Sequence, residues 1–223
     1  LPKPSHRWQV LLGKYVGIVV TAVVFIALMG GIQLWVTGVQ AGAPGWMLTA
    51  LPIGGAATLG LAMWRVRDRT AVLVPWSLAW LAAAAAVCAT TDVDLAAIGA
   101  ALLLVTGEVL VLTAVALLFS SFSTPFLTGA LTLGVWVLGR SADEMLEMRG
   151  DTLSEGVKSL LGVIGRVVPN FHLFYPGRGA LTGETQIPGG VAAYLATTMG
   201  YGVAYAAVML IAAMLIFRRR DFL

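Results

Sequence analysis

Charge is scarce in this sequence. Only 11% of its 223 residues are Asp, Glu, Lys or Arg, against about 25% in a soluble globular chain. So few charges cannot clothe a water-facing surface, which argues against a soluble domain. Histidine is scarcer still: His6 and His172 are the two present, each outside the apolar runs. There is no His-Glu-x-x-His and no Gly-x-Ser-x-Gly pattern. A metal centre or a His-activated nucleophile would have almost nothing to assemble from. The single cysteine, Cys88, excludes an internal disulfide. Lying inside an apolar run, it reads as a small core residue. A phosphate-binding loop is missing too. The one Gly-Lys pair, Gly13-Lys14, is followed by Tyr15 and has Trp8 where the motif needs its first glycine. We therefore expect a chain that is not an enzyme and holds no cofactor or metal of its own.

Apolar residues make up 59% of the chain, and its mean hydropathy is +0.89. They fall into blocks about as long as the roughly 20 residues a helix needs to cross hydrocarbon. Six spans are predicted: 13–37, 46–64, 71–89, 95–119, 125–139 and 190–217. Pro52 with Gly54-Gly55 predicts a kink in the second, and the fifth is short for a perpendicular crossing. The fold class expected is all-α, a polytopic membrane helix bundle with about six transmembrane helices, in one domain over 1–223. The 26 glycines fit close helix packing in a membrane.

The net charge of +3 does not imply nucleic acid, because the charges sit at the ends of the apolar blocks. They act as topology signals. With a cytoplasmic N-terminus and six crossings, the inside collects Lys3, Arg7, Lys14, Arg65, Arg67, Arg69, Arg218, Arg219 and Arg220, against Asp68 and Asp221. The outside collects Arg140, Arg149, Lys158, Arg166 and Arg178 with a larger number of acidic residues. This asymmetry obeys the positive-inside rule and predicts a multi-pass protein of the inner, cytoplasmic membrane with both ends of this sequence cytoplasmic.

The stretch 140–189 is read as an outer loop. Within it, Thr152-Leu153-Ser154-Glu155 has the form of a capping box. Leu153, Val157, Leu160, Leu161, Ile164 and Val168 then share one helical face. An extracytoplasmic amphipathic helix follows, lying either flat on the membrane or on the outer mouth of the bundle. Pro169-Asn170 ends it. Glu108 is the one ionisable residue well inside a span, which marks it as a candidate intramembrane polar site. Two roles stand open: a proton or cation relay, or a hydrogen bond to a neighbouring helix through Thr106, Thr113 or a backbone group. Trp8, Trp35, Trp46, Trp64 and Trp80 fit an interfacial aromatic belt.

Four segments together resemble one family, the ABC-2 type permeases, membrane subunits of ATP-binding-cassette exporters. Leu1-Pro2-Lys3-Pro4-Ser5-His6-Arg7-Trp8, leading into Leu11-Leu12-Gly13-Lys14-Tyr15-Val16-Gly17, resembles the cytoplasmic lead-in to a membrane helix. Phe119-Ser120-Ser121-Phe122-Ser123-Thr124-Pro125 is similar to a Ser-rich hinge between two later helices. Val168-Pro169-Asn170-Phe171 is similar to the Pro-Asn before the last helix, and Phe217-Arg218-Arg219-Arg220-Asp221-Phe222 to the basic C-terminal ending. Gly13 and Gly17, one turn apart, would permit a close helix contact.

The resemblance implies an exporter permease driven by a separate ATPase subunit that holds ATP and Mg. It implies a second permease copy as a further partner and membrane lipid around both. Its candidate coupling residues are Lys3, Arg7, Trp8 and Lys14, with Arg65, Arg67 and Arg69 as a second group. The family carries helices before the lead-in that this sequence lacks, so an N-terminal truncation is expected. The spans between Trp46 and Ala89 look like an insertion. The competing readings are a secondary transporter or channel working without an ATPase, and a membrane anchor or assembly factor.

Overall fold

A computed structural model describes residues 7–142, 155–177, 181–182, 187 and 189–219. Among them the chain is helical and has no strand. Helices α1 (Arg7–Gln40), α2 (Gly45–Arg65), α3 (Arg69–Cys88), α4 (Leu95–Ser120) and α5 (Pro125–Arg140) follow in order. Then come α6 (Glu155–Val167), a 3-10 turn (Phe171–Phe174) and α7 (Gly190–Arg219). Hydrocarbon offers no partner to a backbone N–H or C=O, so a chain this apolar satisfies them within helices. Helices α1, α2, α3, α4 and α7 are each long and apolar enough to cross a membrane. The protein is an all-α, multi-pass membrane protein.

The expected fifth span departs from this. Helix α5 has 16 residues, or about 24 Å at 1.5 Å per residue, short of the roughly 30 Å core. Pro125 starts it at a position where the missing N–H costs nothing.

The chain divides into two compact units whose boundaries fall inside α1 and α4: residues 1–19 with 103–223, and residues 20–102. The second unit centres on Leu34, Ala84 and Cys88, whose Sγ donates to the Leu34 carbonyl at 2.9 Å. Helices α2 and α3 form a hairpin through Val66–Asp68, and α2 buries none of its residues. Pro52 lies inside α2 and cannot donate to the carbonyl of Leu48. The indole of Trp35 donates to that carbonyl instead, at 3.0 Å. Trp35 therefore mends a helix. Trp80 also packs within the unit. It stacks on Trp76 with centroids 6.0 Å apart and packs against Gly31 and Gly55, where any side chain would collide with its ring. Trp46 and Trp64, at the two ends of α2, are exposed.

In the first unit, Leu11 of α1 packs with Ala114 and Leu117 of α4 and with Ala206, Leu210 and Ala213 of α7. A second cluster joins Leu104, Val111 and Val115 of α4 to Phe171 and Phe174 of the 3-10 turn. The chain around 167–175 is inserted beside the helices. Three α7 tyrosines satisfy its backbone: Tyr205 donates to Val167 O at 2.8 Å, Tyr194 donates to Leu173 O at 2.5 Å, and Tyr201 accepts from the Asn170 N–H at 2.9 Å. Glycines supply the room. A Cβ at Gly107 would stand 2.7 Å from Phe174, and one at Gly139 would meet the Pro169 carbonyl and the Phe171 ring. The capping box at 152–155 starts outside the described residues; the helix it was expected to open begins at Glu155.

Candidate functional site

Glu108 stands near the midpoint of α4, roughly 18 Å from either end of that helix. It is 9% exposed. Its partners come from α5, not from Thr106 or Thr113. Trp136 Nε1 donates to Oε1 at 2.7 Å, and Arg140 Nη2 donates to Oε1 at 3.2 Å and Oε2 at 3.4 Å. Trp136 and Arg140 are four residues apart, so one face of α5 presents both to the carboxylate.

Arg140 was expected among the outside charges, just past a fifth span that is short for a perpendicular crossing. A short turn after Ser120 starts α5 back along α4, and α5 stops after 16 residues. Its C-terminal arginine is thereby left level with the middle of α4.

Aromatic rings flank the guanidinium. Its Cζ lies 5.3 Å from the Trp136 centroid and 4.9 Å from that of Tyr175, just past the 3-10 turn. The Arg140 side chain is one-third exposed, and its Nε is buried with no hydrogen-bond partner among the described residues. Such a pair is strongly held. Removing one member of a buried ion pair leaves the other uncompensated. Glu108 is thus tied at both oxygens to α5, and the hydrogen-bond role is the one its geometry fits; the relay role would need it free to change partners.

An apolar slot of about 480 Å³ opens below the pair, between α4 and α5. Leu112 and Ala116 continue the Glu108 stripe of α4 down one wall. Gly129 and Leu133 of α5 form the other, and the Trp136 ring closes the end nearest the pair. Two threonines in the slot offer it little polarity. Thr132 Oγ1 donates to Thr128 O at 2.7 Å, and Thr128 Oγ1 pairs with Ser123 Oγ at 2.8 Å.

The candidate coupling residues fall into different parts of the chain. Lys3 lies outside the described residues. Arg7 opens α1, and Trp8 beside it is half-exposed. Lys14 is exposed on the first unit and borders a small cleft with Ser120, Ser121 and Phe217. Both serine hydroxyls donate back to α4 carbonyls, to Leu117 O at 2.9 Å and Leu118 O at 2.6 Å. Their oxygens and the negative end of the α4 dipole face an ammonium favourably. Arg65 ends α2, Arg67 sits in the turn and Arg69 opens α3, all in the second unit. Gly13 and Gly17 do not form the expected close contact within the described chain: a methyl group at either would meet nothing within 4 Å.

Among the described residues no three His, Cys, Asp or Glu side chains gather as metal ligands would. Sequence reasoning missed Trp136, Arg140 and Tyr175. The Trp-x-x-x-Arg spacing was there to be read, but only a short α5 gives it meaning. Pro169-Asn170 was noticed, and its physical role is local: Asn170 Oδ1 accepts from the His172 N–H at 3.0 Å and so caps the 3-10 turn. Compared with known proteins, the chain matches no family model, no curated relative and no solved structure.

Proposed function

We propose that this chain is the membrane-spanning subunit of an exporter, driven by ATP that a separate subunit hydrolyses. The observation that carries the transport reading is the Glu108–Arg140 pair. A one-third-exposed arginine level with the middle of α4 needs water or protein around it, because lipid solvates it poorly. The non-helical backbone at 168–175 has the same requirement. A path for solute would supply that surrounding.

Transport needs an energy source, and these 223 residues show no phosphate-binding loop. The four segments resembling ABC-2 type permeases point to an ATP-binding-cassette subunit as that source, and to a second permease copy. On this reading α5 and the inserted segment together carry the chain across once. Arg140 is level with the middle of α4, Asn170 is bonded near the middle of α7, and Leu173 is bonded nearer its start. Both ends of this sequence then stay on the basic, cytoplasmic side.

A carrier or channel without an ATPase is the second reading. Against it, Glu108 is the sole ionisable group within a span on α4 and is tied at both oxygens.

The test is co-purification with the cognate ATPase and ATP turnover in liposomes. The proposal expects turnover to depend on this subunit and to fall at least about tenfold in Lys14→Glu or Arg7→Glu, since reversing a contact charge adds repulsion. Turnover independent of the subunit, with assembly intact in both variants, would overturn it.

A further inference from the structure

We propose that the α4–α5 slot and the ion pair above it form one binding site, for a single-tailed amphiphile carrying an anionic headgroup. This rests on the export reading and names its substrate class. The tail lies in the slot between α4 and α5, and the carboxylate or phosphate meets Arg140.

Three features converge. The slot is a shallow, open groove with an almost wholly apolar lining. Its threonine hydroxyls are engaged by Thr128 O and Ser123, so a sugar or peptide would find few partners there, whereas a hydrocarbon needs none. The Trp136 indole divides the site into two chemistries. Its ring faces the slot, and its N–H holds Glu108.

Headgroup sign follows from donor count. Arg140 engages Glu108 through Nη2 alone. The Arg140 side chain is one-third exposed. Glu108 is 9% exposed and already accepts from Trp136 and Arg140. A cationic headgroup would therefore meet the arginine before it met the glutamate. An anionic one would gain a charge-assisted hydrogen bond. The Tyr175 ring, 4.9 Å from the guanidinium, keeps it turned toward the pair.

The experiment uses the full chain in nanodiscs of zwitterionic lipid, with radiolabelled dodecyl phosphate as probe and dodecyltrimethylammonium and dodecyl maltoside as competitors. Saturable binding is expected, with dodecyl phosphate favoured about tenfold or more over both competitors. Gly129→Leu fills the slot from a position where a side chain meets nothing within 4 Å, and should weaken binding about tenfold or more. Gly134→Leu, equally open on α5 but away from the slot, should bind as the parent does. Ala116→Leu repeats the plug from the α4 wall. Glu108→Gln with Arg140→Gln should keep tail binding and lose the preference for phosphate. Arg140→Lys keeps the charge and should retain part of that preference.

Equal binding of phosphate and ammonium by the parent would overturn the headgroup assignment. Unchanged binding in both plugged variants would show ordinary lipid contact and overturn the site. ATPase-dependent export that survives both plugs would sink this site while leaving the export reading standing. Loss of turnover coupling with amphiphile binding intact would do the reverse.

Discussion

Trp136 Nε1 and Glu108 Oε1 lie 2.7 Å apart, and the same oxygen accepts from Arg140 Nη2 at 3.2 Å. One carboxylate oxygen thus ties α4 to two successive turns of α5. The tie holds a short helix in place where lipid would otherwise surround its charged end.

Arg140→Leu should destabilise the protein by about 3 kcal/mol, the lower end for breaking a buried pair, because the arginine is one-third exposed. The double variant Glu108→Gln with Arg140→Leu should recover most of this, since no uncompensated charge remains. Thermal unfolding of the purified chain measures both. A double variant no better than the single would mean that the guanidinium acts by packing on Trp136 and Tyr175, not by charge.

Gly139→Ala should cost about 1–3 kcal/mol, because its Cβ would meet the Pro169 carbonyl, and backbone cannot step aside as a side chain can. Gly13→Ala should change stability by no more than about 0.5 kcal/mol, as open surface positions do. Comparing the two separates the glycine that packs within the chain from the one picked out by its motif.

Trp35→Phe should cost about 1 kcal/mol by leaving the Leu48 carbonyl without its donor. Pro52→Ala supplies the missing backbone N–H. In its presence the Trp35→Phe cost should shrink toward zero. A double-mutant cycle on unfolding free energies reads the coupling. Additive costs would show that the indole N–H is not a substitute for the proline's.

Tyr201→Phe and Tyr205→Phe each delete one hydrogen bond to the inserted backbone, at Asn170 and Val167. Each should cost about 1 kcal/mol. Hydrogen exchange should accelerate first at Asn170 in Tyr201→Phe, because that variant frees the Asn170 N–H itself. Acceleration spread evenly over α7 would argue instead for general loosening of that helix.

Most of the architecture was legible in the sequence. Hydrophobic blocks of the right length located α1, α2, α3, α4 and α7, since a spanning segment is recognised by composition alone. Glu108 was legible as a polar site for the same reason, a charge where charge is costly. Its partners were not. Arg140 looked like an outside residue because the length of α5 and the return of 167–175 depend on packing, which no periodicity records. The contacts of the tryptophans were not legible either: Trp35 answers to a proline in the next helix and Trp80 to glycines in α1 and α2.

What the sequence determined by itself is the solvent: too few charges for water, and runs long enough for lipid. That choice forces helices, because only they close their own hydrogen bonds in hydrocarbon. What the tertiary structure decided is where the remaining polarity goes. Glu108 and Arg140 are 32 positions apart, and Phe174 finds its place between Gly107 and Gly202. Those pairings depend on how far α5 runs along α4 and on which notches face each other. They are properties of packed helices, not of any one segment.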